Sequence, residues 1–227
     1  MSIEFKIASE SSLILYFGDK IDPVVAKEVQ KAYVALKEAK IEGFYEIIPS
    51  YASLMVSFDS MRFDFQEVCH LIQQILSSAP KIDTREQKIV RIPVYYNPEV
   101  GLDLTLLAQE KKLDIEEIIA LHSRFIYDVY AIGFAPGFAY MGQIDEKLAT
   151  PRVANPRKSV PKGSVAIADR QTAIYPLQSP GGWKIIGRTP LQMFDMSYDG
   201  LSLLHVGDSV QFEPISRAEF LAQGGIL

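Results

Sequence analysis

Hydrophobic and polar residues alternate with a period of two over Glu4–Ala8 and Ser12–Phe17, with turn residues Ser9–Ser11 between them. The chain therefore opens as a pair of strands. The period then becomes helical: Val25, Val29, Ala32, Tyr33 and Leu36 fall on one face. Asp22 stands as N-cap, Pro23 takes the first helical position, and Gly43 marks the end. Tyr45–Pro49 and Ser53–Phe58 make a second strand pair. Asp64 caps a second helix, with Glu67 placed as in a capping box. Its stripe is Phe65, Val68, Leu71, Ile72, Ile75 and Leu76, and Pro80 closes it. The order ββαββα predicts an α+β domain of ferredoxin-like type, with helices on one face of a sheet. The charged segment Lys81–Lys88 reads as a linker, dividing the chain into domains of residues 1–84 and 85–227.

Beyond the linker the pattern changes. Ile89–Tyr95 alternates like a strand, and Leu104–Lys111 and Ile115–Ser123 read as two short helices. Short apolar runs cut by Pro and Gly follow, the spacing of a small β-barrel or sandwich with long structured loops. Leu201–Val206 reads as an apolar strand carrying His205, in a core or edge role. Ser209–Phe212 is a closing strand, and residues 217–222 make a terminal helical turn. The two short helices have the spacing of a helix-turn-helix. The second begins Asp114-Ile115-Glu116-Glu117, acids that suit a helix N-terminus and repel phosphate. They are expected to form a hairpin that packs on the barrel, not a nucleic-acid reader.

Composition narrows the function classes. The 227 residues are 48% hydrophobic and 22% charged, values of a globular chain. The net charge of −5 argues against a nucleic-acid partner. One cysteine excludes an intrachain disulfide and a multi-cysteine metal site. Cys69 reads as a half-buried apolar residue and His70 as helix surface. The N-terminus lacks a signal-peptide pattern, and no apolar run approaches the roughly 18 residues of a membrane span. A soluble, cytoplasmic protein with no membrane partner and no bound metal is expected. A phosphate-binding G-x-x-x-x-G-K-[ST] loop, G-x-G-x-x-G, H-E-x-x-H and G-x-S-x-G are all absent.

One segment concentrates candidate chemistry. Ala135–Pro190 holds seven prolines, with glycines at 137, 142, 163, 181, 182 and 187. Proline fixes φ and glycine permits φ > 0, so this composition specifies rigid turns. Between Arg152 and Arg188 lie seven basic residues and a single acid, Asp169, so this stretch carries +6 and the rest of the chain −11. A basic island on an acidic protein points to an anionic ligand or an acidic partner surface. Phe134, Phe138, Tyr140, Tyr175 and the lone Trp183 interleave with these charges, as in a small-ligand pocket. Ser164, Gln171, Thr172 and Ser179 add neutral hydrogen-bonding groups.

The stretch reads G-F-x-P-G-F-x-Y, then P-R-x-x-x-P-R-x-x-V-P-x-G-S-V, then Q-T-x-I-Y-P, then S-P-G-G-W-x-x-I-G-R-T-P. In these motifs the chain resembles the family of the 5-oxoprolinase B component. That family is also called allophanate hydrolase subunit 1, belongs with the carboxyltransferase-domain C/D family, and includes the inhibitor of sporulation sensor kinase A. The resemblance implies an N-terminal ferredoxin-like domain and a C-terminal cyclophilin-like β-barrel. It implies a non-autonomous enzyme component that works with the 5-oxoprolinase C component and A component. The complex hydrolyses ATP, as co-substrate with Mg, while opening 5-oxo-L-proline to L-glutamate. Regulation of a histidine kinase and allophanate hydrolysis are the alternatives it carries. The motif positions place candidate binding residues at Phe134, Pro136, Gly137, Phe138, Tyr140, Arg152, Pro156, Arg157, Gly163, Ser164, Gln171, Thr172, Tyr175, Ser179, Gly181, Gly182, Trp183 and Arg188. His122 matches a histidine frequent in the family. No catalytic base or nucleophile is placed by motif. The family commonly has glycine at Gln143, Ala166, Asp169 and Ala173, which leaves the turn at Asp169 open in geometry and charge.

Overall fold

The computed structural model describes residues 3–78, 89–198 and 200–227, and in it the N-terminal unit, Met1–Gln87, is built from two hairpins, each followed by a helix. These elements are β1 (Glu4–Ser9), β2 (Ser12–Tyr16), α1 (Pro23–Ala39), β3 (Phe44–Ser50), β4 (Ser53–Phe58) and α2 (Phe65–Ser78). The strands form one antiparallel sheet in the order β1-β2-β4-β3. Period-two spacing sends Leu13, Leu15, Leu54, Val56 and Phe58 to one face. There they bury against Val25, Val29, Ala32 and Leu36 of α1 and Val68 and Ile72 of α2. The predicted caps are present. Asp22 accepts from the Val24 and Val25 amides. Asp64 and Glu67 exchange reciprocal side-chain to backbone bonds, both 2.9 Å. α1 stops at Ala39, where Lys40 turns left-handed (φ 45°), before Gly43 is reached. Pro80, the linker at Lys81–Lys88 and the domain boundary between 84 and 85 lie outside the described residues.

The second unit, Lys88–Leu227, contains β5 (Ile89–Val94), α3 (Leu104–Lys111), α4 (Ile115–Ser123), β6 (Ile126–Ile132), β7 (Ala139–Gly142), β8 (Arg157–Val160), β9 (Ser164–Ala168), β10 (Gln171–Ile174), β11 (Ser179–Gly181), β12 (Lys184–Arg188), β13 (Ser209–Pro214) and α5 (Arg217–Ala222). Seven strands form a sheet in the order β12-β9-β10-β7-β6-β13-β5, and β8 and β11 make a separate ribbon. Among the described residues the β5–β13 pairing is parallel and the other pairings of this sheet are antiparallel. Its two edges meet at Tyr95 and Arg188, whose backbones exchange bonds of 2.8 and 3.0 Å. The sheet is thus a nearly closed barrel. Its core includes Ile92, Val94, Val129, Met141, Val165, Ile167, Ile174, Ile186 and Phe212. The helical hairpin α3–α4 adds Leu104, Leu107, Ile118 and Leu121 to that core.

The strand expected at Leu201–Val206 does not form. Only Ser202 bridges, to Phe194, and the segment is otherwise irregular. Leu201 (φ 65°) and Gly207 (φ 91°) adopt left-handed backbone that a strand cannot hold. His205 is exposed there, 3.8 Å from Asp208. Among the described residues no helix is long and apolar enough to cross a membrane.

Candidate functional site

Alternate residues of β9 serve two different clusters, because successive side chains of a strand leave opposite faces. Val165 and Ile167 enter the barrel core, while Ala166 and Ala168 join an outer cluster with Ala173 and Ile185. Ala166 stands opposite both Ala173 and Ile185 in the strand register. These small side chains leave room for rings. Phe138, Tyr175 and Trp183, each at most 5% exposed, pack in the same cluster. Phe138 meets Tyr175 edge-on at 5.3 Å, Trp183 at 5.8 Å and Tyr140 at 4.8 Å. Such edge-to-face contacts favour a fixed arrangement of rings.

The turn between β6 and β7 positions the outermost ring. Phe134 sits at φ 70° and remains 65% exposed, with its ring 5.2 Å from that of Phe138. Gly137 (φ 81°) completes the turn where a Cβ would lie 2.8 Å from the Met193 carbonyl, so no other residue fits without a shift. Pro136, between them, is exposed.

Arginines flank the rings. The segment after Pro151 is held by the Val153 amide, which donates to the Gly182 carbonyl at 2.8 Å. This places the exposed Arg152 guanidinium 5.9 Å from the centre of the Trp183 ring, a cation–π distance. Arg157, opposite Gly181 in the β8–β11 ribbon, donates to Asp103 Oδ1 at 2.6 Å. The other Asp103 oxygen accepts from the Ile185 amide at 2.8 Å. Arg188 is buried and donates through Nη1 to the Ile226 carbonyl at 2.8 Å. Burial raises the hydroxyl pKa of both Tyr140 and Tyr175, so both stay protonated.

Gly181 lies against the Tyr175 hydroxyl, 2.2 Å from where a Cβ would be. Gly181→Ala is therefore expected to displace Tyr175 and cost about 1–3 kcal/mol through overpacking. A thermal melt followed by the fluorescence of Trp183, the chain's single tryptophan, checks this. An unchanged midpoint would show that the ring packing is looser than described.

The motif residues thus divide in space. Phe134, Phe138, Tyr140, Arg152, Tyr175, Gly181, Gly182 and Trp183 gather on the outer face with Arg157 beside them. Ser164 and Arg188 share that face one register step beyond Ala166. Ser179 stands on β11, and Gln171, half-buried, pairs with Gly142 and Ala168. His122 and Thr172 stand apart. Both are fully buried, and His122 belongs with the barrel interior, stacked on Phe212 at 4.6 Å. Thr172 donates to the Ala166 carbonyl at 3.1 Å, so its oxygen accepts from His122 Nε2 at 2.8 Å. His122 Nδ1 then accepts from the Tyr96 hydroxyl at 2.7 Å. Burial holds His122 neutral, with its pKa driven down to about 3. Sequence reasoning missed Asp103 and Tyr96. Asp103 carried one signal, its place just before α3, but its side chain makes no cap bond and turns to Arg157 instead. Among the described residues no group of three or more His, Cys, Asp or Glu could hold a metal ion. The outer face presents rings, guanidinium groups and phenolic hydroxyls, a set suited to holding a planar or anionic group.

The family model for the carboxyltransferase domain, subdomain C and D, matches residues 3–204. The chain belongs to this family. Two curated relatives in it are B components of 5-oxoprolinase. The one from Bacillus subtilis (strain 168) is 36% identical over 234 residues, covering 98% of each chain. The one from Escherichia coli O157:H7 is 34% identical over 210 residues, covering 92% of this chain and 94% of its own. The crystal structure of TTHA0988 superposes with a TM-score of 0.82 at 33% identity, covering 90% of this chain. This chain spans 40% of that one, so in that relative the carboxyltransferase-domain fold seen here is one part of a longer polypeptide.

Proposed function

We propose that this chain is the B component of an ATP-dependent 5-oxoprolinase, a non-autonomous partner of the C and A components in the cytoplasm. The observation that carries the reading is the full-length likeness to the 5-oxoprolinase B component of Bacillus subtilis. In this reading the first unit is a ferredoxin-like layer, the second is a cyclophilin-like barrel, and the two are separate domains. ATP, with Mg, is the co-substrate of the whole assembly. A lactam is a stable amide, and phosphorylating its oxygen eases ring opening. The negative charge that develops is stabilised by preorganised donors. This chain's contribution is binding: the rings around Phe138 and the cations Arg152, Arg157 and Arg188 orient an anionic group.

The test is reconstitution. The purified chain is expected to turn over no 5-oxoproline, and adding both partner components restores ATP-dependent release of glutamate. Arg152→Ala in the complex is expected to raise KM roughly 10- to 150-fold, the span for losing a hydrogen bond to a charged group. Robust turnover by the chain alone would remove the shared-site reading. An unchanged KM would remove Arg152 from it.

A further inference from the structure

The outer face of the barrel holds hydrogen-bonding capacity that its own residues leave unused. Ser164 and Arg188 are direct partners across β9 and β12, and opposite residues in an antiparallel pair leave the sheet on the same side. Ser164 is fully buried and Arg188 is 8% exposed. The Ser164 hydroxyl has no hydrogen-bond partner among the described residues, and neither has Arg188 Nε. The other buried cation among the described residues of this unit, Lys184, is matched by Glu110, and the part-buried Arg157 by Asp103. Among the described residues no carboxylate lies within ion-pair distance of Arg188, whose one acceptor is the Ile226 carbonyl on Nη1. A buried cation without a counter-charge and a buried hydroxyl without a partner each carry a desolvation cost. One small anion in contact with both would offset the two costs together.

We propose that Arg188 and Ser164 together hold the carboxylate of a small organic acid, with the guanidinium Nε edge and the serine hydroxyl as its donors. The planar edge of a guanidinium matches a carboxylate. A single cation and a single neutral hydroxyl compensate one negative charge, which favours a carboxylate over a phosphate dianion. Arg188 donates to the carbonyl of Ile226, a residue that is itself 78% exposed, so its guanidinium lies beneath the protein surface and not in the barrel core. The identity of the acid rests on the 5-oxoprolinase reading: 5-oxo-L-proline bears one carboxylate on its lactam ring.

The experiment titrates the full chain with 5-oxo-L-proline, with acetate, and with 2-pyrrolidinone, the same lactam without the carboxylate. Binding is read by amide chemical shifts. Saturable binding of both carboxylates is expected, with 2-pyrrolidinone at least tenfold weaker than 5-oxo-L-proline. Ser164→Ala is expected to weaken carboxylate binding about tenfold or more. The same variant should leave the melting temperature level or raise it, because the hydroxyl it removes has no partner in the free protein. A purely structural serine predicts the reverse: a lower melting temperature and unchanged binding. Equal binding of 5-oxo-L-proline and 2-pyrrolidinone, or no saturable carboxylate binding, overturns the proposal. If the reconstituted complex never opens 5-oxoproline while acetate still binds in a Ser164-dependent way, the carboxylate site stands and the 5-oxoprolinase reading falls.

Discussion

Asp103→Ala is expected to destabilise the second unit by about 2–4 kcal/mol, the cost of orphaning a buried backbone amide together with a part-buried guanidinium that water can partly reach. Asp103 is 3% exposed and joins three stretches of chain: it precedes α3, accepts from Arg157 on β8 and accepts from the Ile185 amide on β12. Its loss strands a guanidinium that already has one unpartnered buried nitrogen, Nη1, and orphans a buried backbone amide. Asp103→Asn keeps an acceptor for Ile185 and should cost less. Urea unfolding followed through Trp183 reads the barrel unit directly, because the chain's only tryptophan lies there. A change below roughly 1 kcal/mol for the alanine variant would mean that the three stretches are held together by something else.

Acid should weaken the barrel through His122. Its pKa in the fold is about 3, against about 6.5 for an unfolded chain. The unfolded state therefore binds the extra proton between those values, and stability falls as pH drops from about 6.5 toward 3. At full slope the loss is about 1.4 kcal/mol per pH unit. Above pH 6.5 the histidine contributes no pH dependence. Paired carboxylates add their own acid losses at lower pH, so the informative comparison is with His122→Gln. That variant is less stable at pH 7 but should lose stability more slowly between pH 6 and 4. Parallel curves for the two proteins over that range would refute a neutral buried imidazole as the cause.

Local signals in the sequence carried most of the helices. Asp22 with Pro23, Asp64 with Glu67, and the limits of α3, α4 and α5 were all legible, because caps and 3.6-residue spacing act within a turn or two. Long-range partnerships were not. The parallel pairing of β5 with β13 and the meeting of Tyr95 with Arg188 join residues about a hundred positions apart, where no local pattern reports them. Leu201–Val206 failed for the opposite reason: its apolar residues suit a strand, but left-handed backbone at Leu201 and Gly207 turns the chain away. Within the site, the rings and arginines were legible as a rigid, basic, aromatic segment. Their division was not, since Thr172 and Tyr175 are near neighbours in sequence yet one bonds His122 and the other packs outside with Trp183. Asp103 went unseen because Arg157 lies 54 residues away.

The parallel pair of β5 and β13 also bears on how the protein comes into being. Ile89 is aligned with Ser209 and Val94 with Pro214, so the first strand of the barrel waits for the last. Closing so long a loop is entropically costly before any contact rewards it, and such topologies fold slowly. On the ribosome the N-terminal unit, whose strands all pair within residues 4–58, can complete itself while the barrel is still being made. The barrel cannot, because until Pro214 has emerged β6 and β5 both lack the neighbour that joins them.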